Sequence, residues 1–141
     1  MAKTRILLVD DEVALTDILK INLEETGRFD VRVENRGASA AAAASAFAPD
    51  IVFLDVIMPD MDGGQVAAQL RADPRLQHVP IVYLTAIVSK QEAHQADGVI
   101  GGNAFIAKPV GVNEVVACIE RHLGAAPPLV DGARMNPGGQ R

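Results

Sequence analysis

The chain reads as an α/β protein, a parallel sheet covered by helices on both faces. Two observations predict this. Short apolar runs of strand length alternate with stretches of helical periodicity along most of the 141 residues, the pattern of repeated βαβ units. The runs are also apolar almost without interruption, as strands buried on both faces must be.

Ile6-Leu7-Leu8-Val9 is the first such run. Glu12 to Thr26 follows as a helix, with Leu15, Ile18, Leu19 and Leu23 assigned to its inner face and Gly27 as its stop. Phe29, Val31 and Val33 alternate with polar residues, which places the second strand near a sheet edge. Ala38 to Ala48 predicts an alanine-rich helix ended by Pro49; alanine is the best helix former and allows close packing on a sheet. Ile51 to Leu54 forms the third strand and Asp55 ends it. Gly63 to Ala72 is the next helix, with Val66, Ala67 and Leu70 inward. Pro80 leads into Ile81 to Leu84, closed by Thr85. Ser89 to Asp97 is a weaker helix, and Gly98 to Ala104 a glycine-rich loop. Ala104 to Ala107 is a short fifth strand that runs into Lys108-Pro109. Val112 to Leu123 closes the domain, with Val115, Val116, Ile119 and Leu123 inward. The pattern stops there, so residues 1–123 form one domain. Pro and Gly from 124 to 141 mark a flexible tail or the start of a linker.

Composition excludes several classes of function. Net charge is −5, with Lys and Arg scattered along the chain rather than gathered in a stripe, so no direct contact with nucleic acid is expected. Cys118 is the single cysteine; it excludes an internal disulfide, fits a reducing cytoplasm and reads as a core thiol. The first apolar run is too short for a signal-peptide core, and no later run is long enough to cross a bilayer. A cytoplasmic protein without membrane contact is the expectation. His78, His94 and His122 lack metal-ligand spacing and read as surface residues.

The polar residues that matter stand at strand ends. Asp10 and Asp11 follow strand one, Asp55 ends strand three, Thr85 ends strand four and Lys108 follows strand five. In an open parallel sheet these positions share the carboxyl edge, where ligands bind. Two unit charges about 4 Å apart repel by roughly 4 kcal/mol at an effective dielectric near 20. Three gathered carboxylates must therefore hold a proton, bind a cation or be destabilised. An all-oxygen donor set selects a hard ion such as Mg2+, which also accepts phosphate oxygens. Beside such an ion one carboxylate can attack phosphorus. Asp55, at the end of a fully apolar strand, is the best-placed nucleophile. Asp10 and Asp11 suit the metal, Lys108 supplies a cation for phosphoryl oxygens, and the Thr85 hydroxyl can donate to one of them.

Val9-Asp10-Asp11-Glu12, then Asp55 with Met58-Pro59-Asp60-Met61-Asp62-Gly63, then Leu84-Thr85-Ala86, then Lys108-Pro109 together resemble the receiver domains of two-component response regulators. The likeness covers about Thr4 to Leu123. It implies a flavodoxin-like three-layer sandwich with five parallel strands in the order 2-1-3-4-5 and five helices. It implies a phosphorylation switch rather than an enzyme, one that assists only its own phosphorylation and dephosphorylation. Asp55 would accept the phosphoryl group from a sensor histidine kinase or a histidine phosphotransfer protein of a phosphorelay. By the same match Asp11, Asp55 and the Ile57 backbone carbonyl are Mg2+ ligands, Asp10 assists through water, and Lys108-Pro109 corresponds to the family's cis peptide. Thr85 and residue 105 are the switch pair, and helix four, strand five and helix five form the face that would act on an unknown downstream protein. A monomer or weak dimer is expected.

Three positions depart from the common pattern. Phe105 stands where tyrosine is frequent, which removes a hydroxyl from the readout. Ile57 and Ile87 are apolar where they would border the path of hydrolytic water, so slow self-dephosphorylation is expected; an unchanged decay rate in Ile57→Asn would sink that idea. Ile57 also occupies the place where an aspartyl phosphatase carries its second acid, which disfavours turnover. A module that has lost phosphorylation would lack one of the acids, Thr85 or Lys108, and all are present. A flavin-binding relative would have a phosphate-cradling first loop, whereas this one is acidic.

Overall fold

In the computed structural model, residues 3–86, 89, 91–92, 99–100 and 103–124 are described. The strands are β1 (Thr4–Val9), β2 (Phe29–Glu34), β3 (Ile51–Asp55), β4 (Ile81–Thr85), β5 (Val99–Ile100) and β6 (Asn103–Ala107), and the helices are α1 (Val13–Glu25), α2 (Ala40–Phe47), α3 (Gly63–Arg71) and α4 (Val112–Leu123). The sheet runs β2-β1-β3-β4-β6-β5. Its first five members pair in parallel, in the predicted 2-1-3-4-5 order with β6 as the fifth. The two-residue β5 adds an antiparallel edge within the stretch read as loop; two apolar residues are too few to show a period. The helix expected over Ser89 to Asp97 lies largely outside the described residues, as does Ile87.

Alternation along the strands divides the core into two layers. Ile6, Leu8, Ile51 and Phe53 face Leu19 and Leu23 of α1 and Val115, Cys118 and Ile119 of α4. Leu7, Val9, Val52 and Leu54 face Ala40, Ala43 and Ala44 of α2 and Val66 and Leu70 of α3. Small side chains let α2 sit close to the sheet, with Ala44 fully buried. That helix starts after a 3-10 turn at Gly37–Ser39 and ends at Phe47. Ala48 then takes a left-handed φ of 54° before Pro49 forbids continuation. Gly27 stops α1 at φ 78°, and its N–H bonds the Glu24 carbonyl at 3.0 Å.

Two residues assigned to the core lie outside it. Ile18 is 58% exposed and Leu123 is 38% exposed. Each helical residue turns the side chain by about 100°, so Leu19 and Leu23 on the inner face carry Ile18 away from it, with Val13 and Ile21 also exposed. Leu123 is the last residue of α4, where the chain leaves the core. Cys118 is buried.

Candidate functional site

Parallel pairing aligns the strand ends. Val9 pairs with Leu54, Asp55 with Leu84 and Thr85 with Ala107. Asp10 after Val9, Asp55 after Leu54, Thr85 after Leu84 and Lys108 after Ala107 are thereby delivered to one edge. Asp10 is fully buried, Asp55 is 5% exposed and Thr85 is 2% exposed. The Lys108 N–H donates to the Thr85 carbonyl at 2.8 Å, which ties the lysine to the end of β4. The Lys108–Pro109 bond is cis.

Carboxylate oxygens of Asp10, Asp11 and Asp55 lie within 4.8 Å of one another. Lys108 Nζ is 2.9 Å from Asp10, 2.6 Å from Glu12 and 3.5 Å from Asp55. Asp10 Oδ1 accepts the Glu12 N–H at 2.9 Å, and Asp55 Oδ1 accepts the Ile57 N–H at 3.3 Å. Asp10 Oδ2 is buried with no hydrogen bond, facing Lys108 without hydrogen-bond alignment.

Electrostatics follow from this crowding. Burial and the neighbouring Asp10 charge push the Asp55 carboxyl up to about 7, an Asp11 contact adds to the rise, and Lys108 and the Ile57 N–H pull against it. Burial alone would lower the Lys108 ammonium, but its bond to Glu12 and the adjacent Asp10 and Asp55 charges hold it above its ordinary range. Among the described residues Asp10, Asp11, Glu12 and Asp55 share one cation, so the cluster is undercompensated. A hard cation fits: the donors are all carboxylate oxygens, and the buried Asp10 Oδ2 has an ion pair to Lys108 but no hydrogen bond.

The remaining residues singled out in the sequence sit as follows. Ile57 is 62% exposed at the mouth of the site. Phe105 on β6 is half-buried and pairs with Tyr83 of β4, their rings 5.4 Å apart. His78 and His122 are exposed and apart from the acids, while His94 lies outside the described residues. Three residues have contacts here that the sequence does not mark. Glu12 reads in the sequence as a motif letter and the start of the first helix, yet it makes the shortest contact to Lys108. Asp60 stands in the motif after Asp55 with no role the sequence marks, and it accepts N–H groups from Gly37 and Ala38. Asn35 carries no sequence signal, and it holds the Asp10 carbonyl.

Comparison with known proteins agrees with this arrangement. The family model "Response regulator receiver domain" matches residues 6–120. This chain belongs to the response regulator receiver family. Its receiver domain is 36% identical over 119 residues to the DNA-binding dual master transcriptional regulator RpaA of Synechocystis, covering 84% of this chain and 48% of that protein. It is 38% identical over 125 residues to the DNA-binding response regulator MtrA of Mycolicibacterium paratuberculosis, covering 86% and 52%. The chain thus spans about half the length of these relatives. Among solved structures, it resembles the chemotaxis protein CheY4 of Vibrio cholerae with a TM-score of 0.73 at 26% identity, covering 86% of this chain and 100% of that one. The receiver domain of sensor histidine kinase PA1611 from Pseudomonas aeruginosa superposes with a TM-score of 0.71 at 28% identity, covering 88% and 100%, and holds a magnesium ion in its active site cleft. The acid cluster of the present receiver fits a site of that kind. No helix among the described residues is long and apolar enough to cross a membrane.

Proposed function

We propose that this receiver accepts a phosphoryl group on Asp55 from a phosphohistidine, carried by a sensor histidine kinase or a histidine phosphotransfer protein. The observation that carries the reading is the meeting of the Asp55 carboxylate with Asp10, Asp11 and the Lys108 ammonium at the end of the buried central strand. An Asp55 oxygen forms the new bond to phosphorus as the phosphorus–nitrogen bond breaks, and the imidazole leaves with the electron pair. Asp11, Asp55 and the Ile57 carbonyl would hold Mg2+, with Asp10 beside them. When bound, the ion offsets the repulsion between the acids and the incoming phosphoryl oxygens. Lys108 shifts from its carboxylate partners toward a phosphoryl oxygen, and the Thr85 hydroxyl donates to another.

The added charge of about −2 would bias two packings of the face built from the segment between β4 and β6, β6 itself and α4, with Phe105 following Thr85. Moving that balance from 1:99 to 99:1 requires roughly 5.5 kcal/mol of differential stabilisation. The partner read by this face is a protein; DNA binding belongs by name to RpaA and MtrA. We place this chain in the cytoplasm as a monomer or weak dimer, with residues 124–141 as a tail or linker.

The test is incubation with Mg2+ and acetyl phosphate, read by mass spectrometry. A single phosphoryl adduct is expected in the wild type and none in Asp55→Asn. An adduct that persists in Asp55→Asn would overturn the assignment.

A further inference from the structure

The loop between β2 and α2 gives no side chain to the acid cluster, yet it touches both the loop that carries Asp10 and Asp11 and the loop that follows Asp55. Asn35 Nδ2 donates to the Asp10 carbonyl at 2.7 Å and to Thr16 Oγ1 at 3.0 Å, which spends both of its amide hydrogens. Thr16 is buried, and its hydroxyl donates onward to the Val13 carbonyl at 3.0 Å. The Asp10 N–H donates to the Glu34 carbonyl at 3.1 Å. The backbone of Asp10 is therefore held on both sides by the end of β2 and the residue after it.

The other contact runs to the loop that follows Asp55. Asp60 Oδ1 accepts the Gly37 N–H at 3.1 Å and Oδ2 accepts the Ala38 N–H at 2.9 Å. These N–H groups open a 3-10 turn, where backbone donors lack partners within the turn itself. The bonds to Ala38 and Gly37 hold the Asp60 carboxyl below the usual carboxylate range, consistent with charge-assisted bonding. Packing reinforces the contact. A Cβ at Gly37 would stand 3.0 Å from Met61 Cβ and 3.2 Å from the Met61 carbonyl, so the absence of a side chain there lets the two loops touch. The far end of the acceptor loop is separately fixed, by the Gly63 N–H on the Val56 carbonyl at 2.8 Å and by Asp62, which caps α3.

We infer that residues 35–38 form a brace that sets the distance between the two metal-holding loops, with Asn35 and Asp60 as positioning residues for the ion. The inference rests on the magnesium reading above. Asn35 sets the height of Asp10 and Asp11, while Asp60 sets the loop that carries the Ile57 carbonyl. Asn35 and the Gly37-Ala38 pair are neighbours on one short loop, so releasing one end lets the loop swing and loosens the other. A capping role alone would make these bonds matter to stability and leave metal affinity untouched.

The experiment is calorimetric titration of Mg2+ into the full chain without phosphodonor, with thermal unfolding of each metal-free protein in parallel. Outer partners of metal ligands typically change affinity by 10- to 100-fold, so Asn35→Ala and Asp60→Ala should each weaken binding about tenfold. Asp60→Asn, which keeps one acceptor oxygen and is mild enough to fold, should fall between wild type and Asp60→Ala. Thr26→Ala, which loses bonds at the far end of α1, should lower stability without changing affinity. The double variant should lose less than the product of the two single losses. Unchanged affinity in the single variants, or losses no larger than that of Thr26→Ala, overturn the brace while the magnesium site stands. Losses that multiply independently overturn its action as one unit. A wild type that binds no Mg2+ sinks the metal reading and the brace with it.

Discussion

Along β3, Ile51 to Leu54 and the residue that follows them are almost equally hidden from water. Phe53 and Leu54 are fully buried and Asp55 is 5% exposed. The apolar residues gain from that burial, at about 25 cal/mol per Å2 of apolar surface removed from water. Asp55 loses by it, since its charge is stripped of solvent beside two other acids. The difference teaches that the interior supplies the rigidity with which the strand end is kept in an unfavourable place. A flexible chain would let these carboxylates separate. A well-packed strand between two sheet neighbours does not, and the misfit is left for a cation or a proton to relieve.

Breaking the favourable half should have the largest effect. Phe53→Ala removes a fully buried ring and should cost about 3–5 kcal/mol, seen as a lower urea midpoint with unchanged slope. An intact midpoint would mean that the strand is not the rigid support described.

Disturbing the junction between the halves comes next. A Cβ at Gly63 would lie 2.6 Å from the Asp55 carbonyl, against backbone that cannot turn aside. Gly63→Ala should cost about 1–3 kcal/mol through overpacking, and the shifted acceptor loop should weaken Mg2+ binding in the same protein. Loss of stability with full metal affinity would show the two halves to be uncoupled.

Relieving the unfavourable half should stabilise the metal-free chain. The Asp55 carboxyl is raised in the folded state from 3.8 to about 7. The folded chain thus holds a proton that the unfolded chain releases, and stability falls as pH rises from about 4 through 7. Asp55→Asn should flatten that decline and be more stable at pH 8 by about 1–3 kcal/mol, the scale of an uncompensated buried group. Denaturation at pH 5 and pH 8 checks it, and a wild type equally stable at both would contradict the crowding argument.

The smallest effect is the linked one on the metal. Below pH 7 a cation must displace the Asp55 proton, so Mg2+ affinity should weaken as pH drops, by about tenfold per unit at most. In Asp55→Asn the residual affinity should lose this dependence. Titration at pH 6 and pH 8 distinguishes the two.

Much of the site could be read from order along the chain. A polar residue directly after an apolar run is carried to the strand end, because pairing in a parallel sheet aligns those ends. Asp10, Asp55, Thr85 and Lys108 come to one edge for this reason. The helix faces were less legible. Ile18 matches the apolar pattern of α1 yet is 58% exposed, since a helix rich in apolar residues does not say which of them the sheet will cover. The Glu12 contact with Lys108 and the bonds of Asn35 and Asp60 gave no pattern at all. Each joins a side chain to a group tens of residues away.

What the residues alone determined is the layered fold and the cast of acids, hydroxyl and lysine, because apolar periodicity and strand ends are local properties of the chain. What the tertiary structure decided is which group neutralises which, and how the loops are held apart. Those outcomes depend on distances of a few ångströms between segments that only folding brings together, and hydrogen bonds and ion pairs weaken too steeply with distance for spacing in the sequence to foretell them.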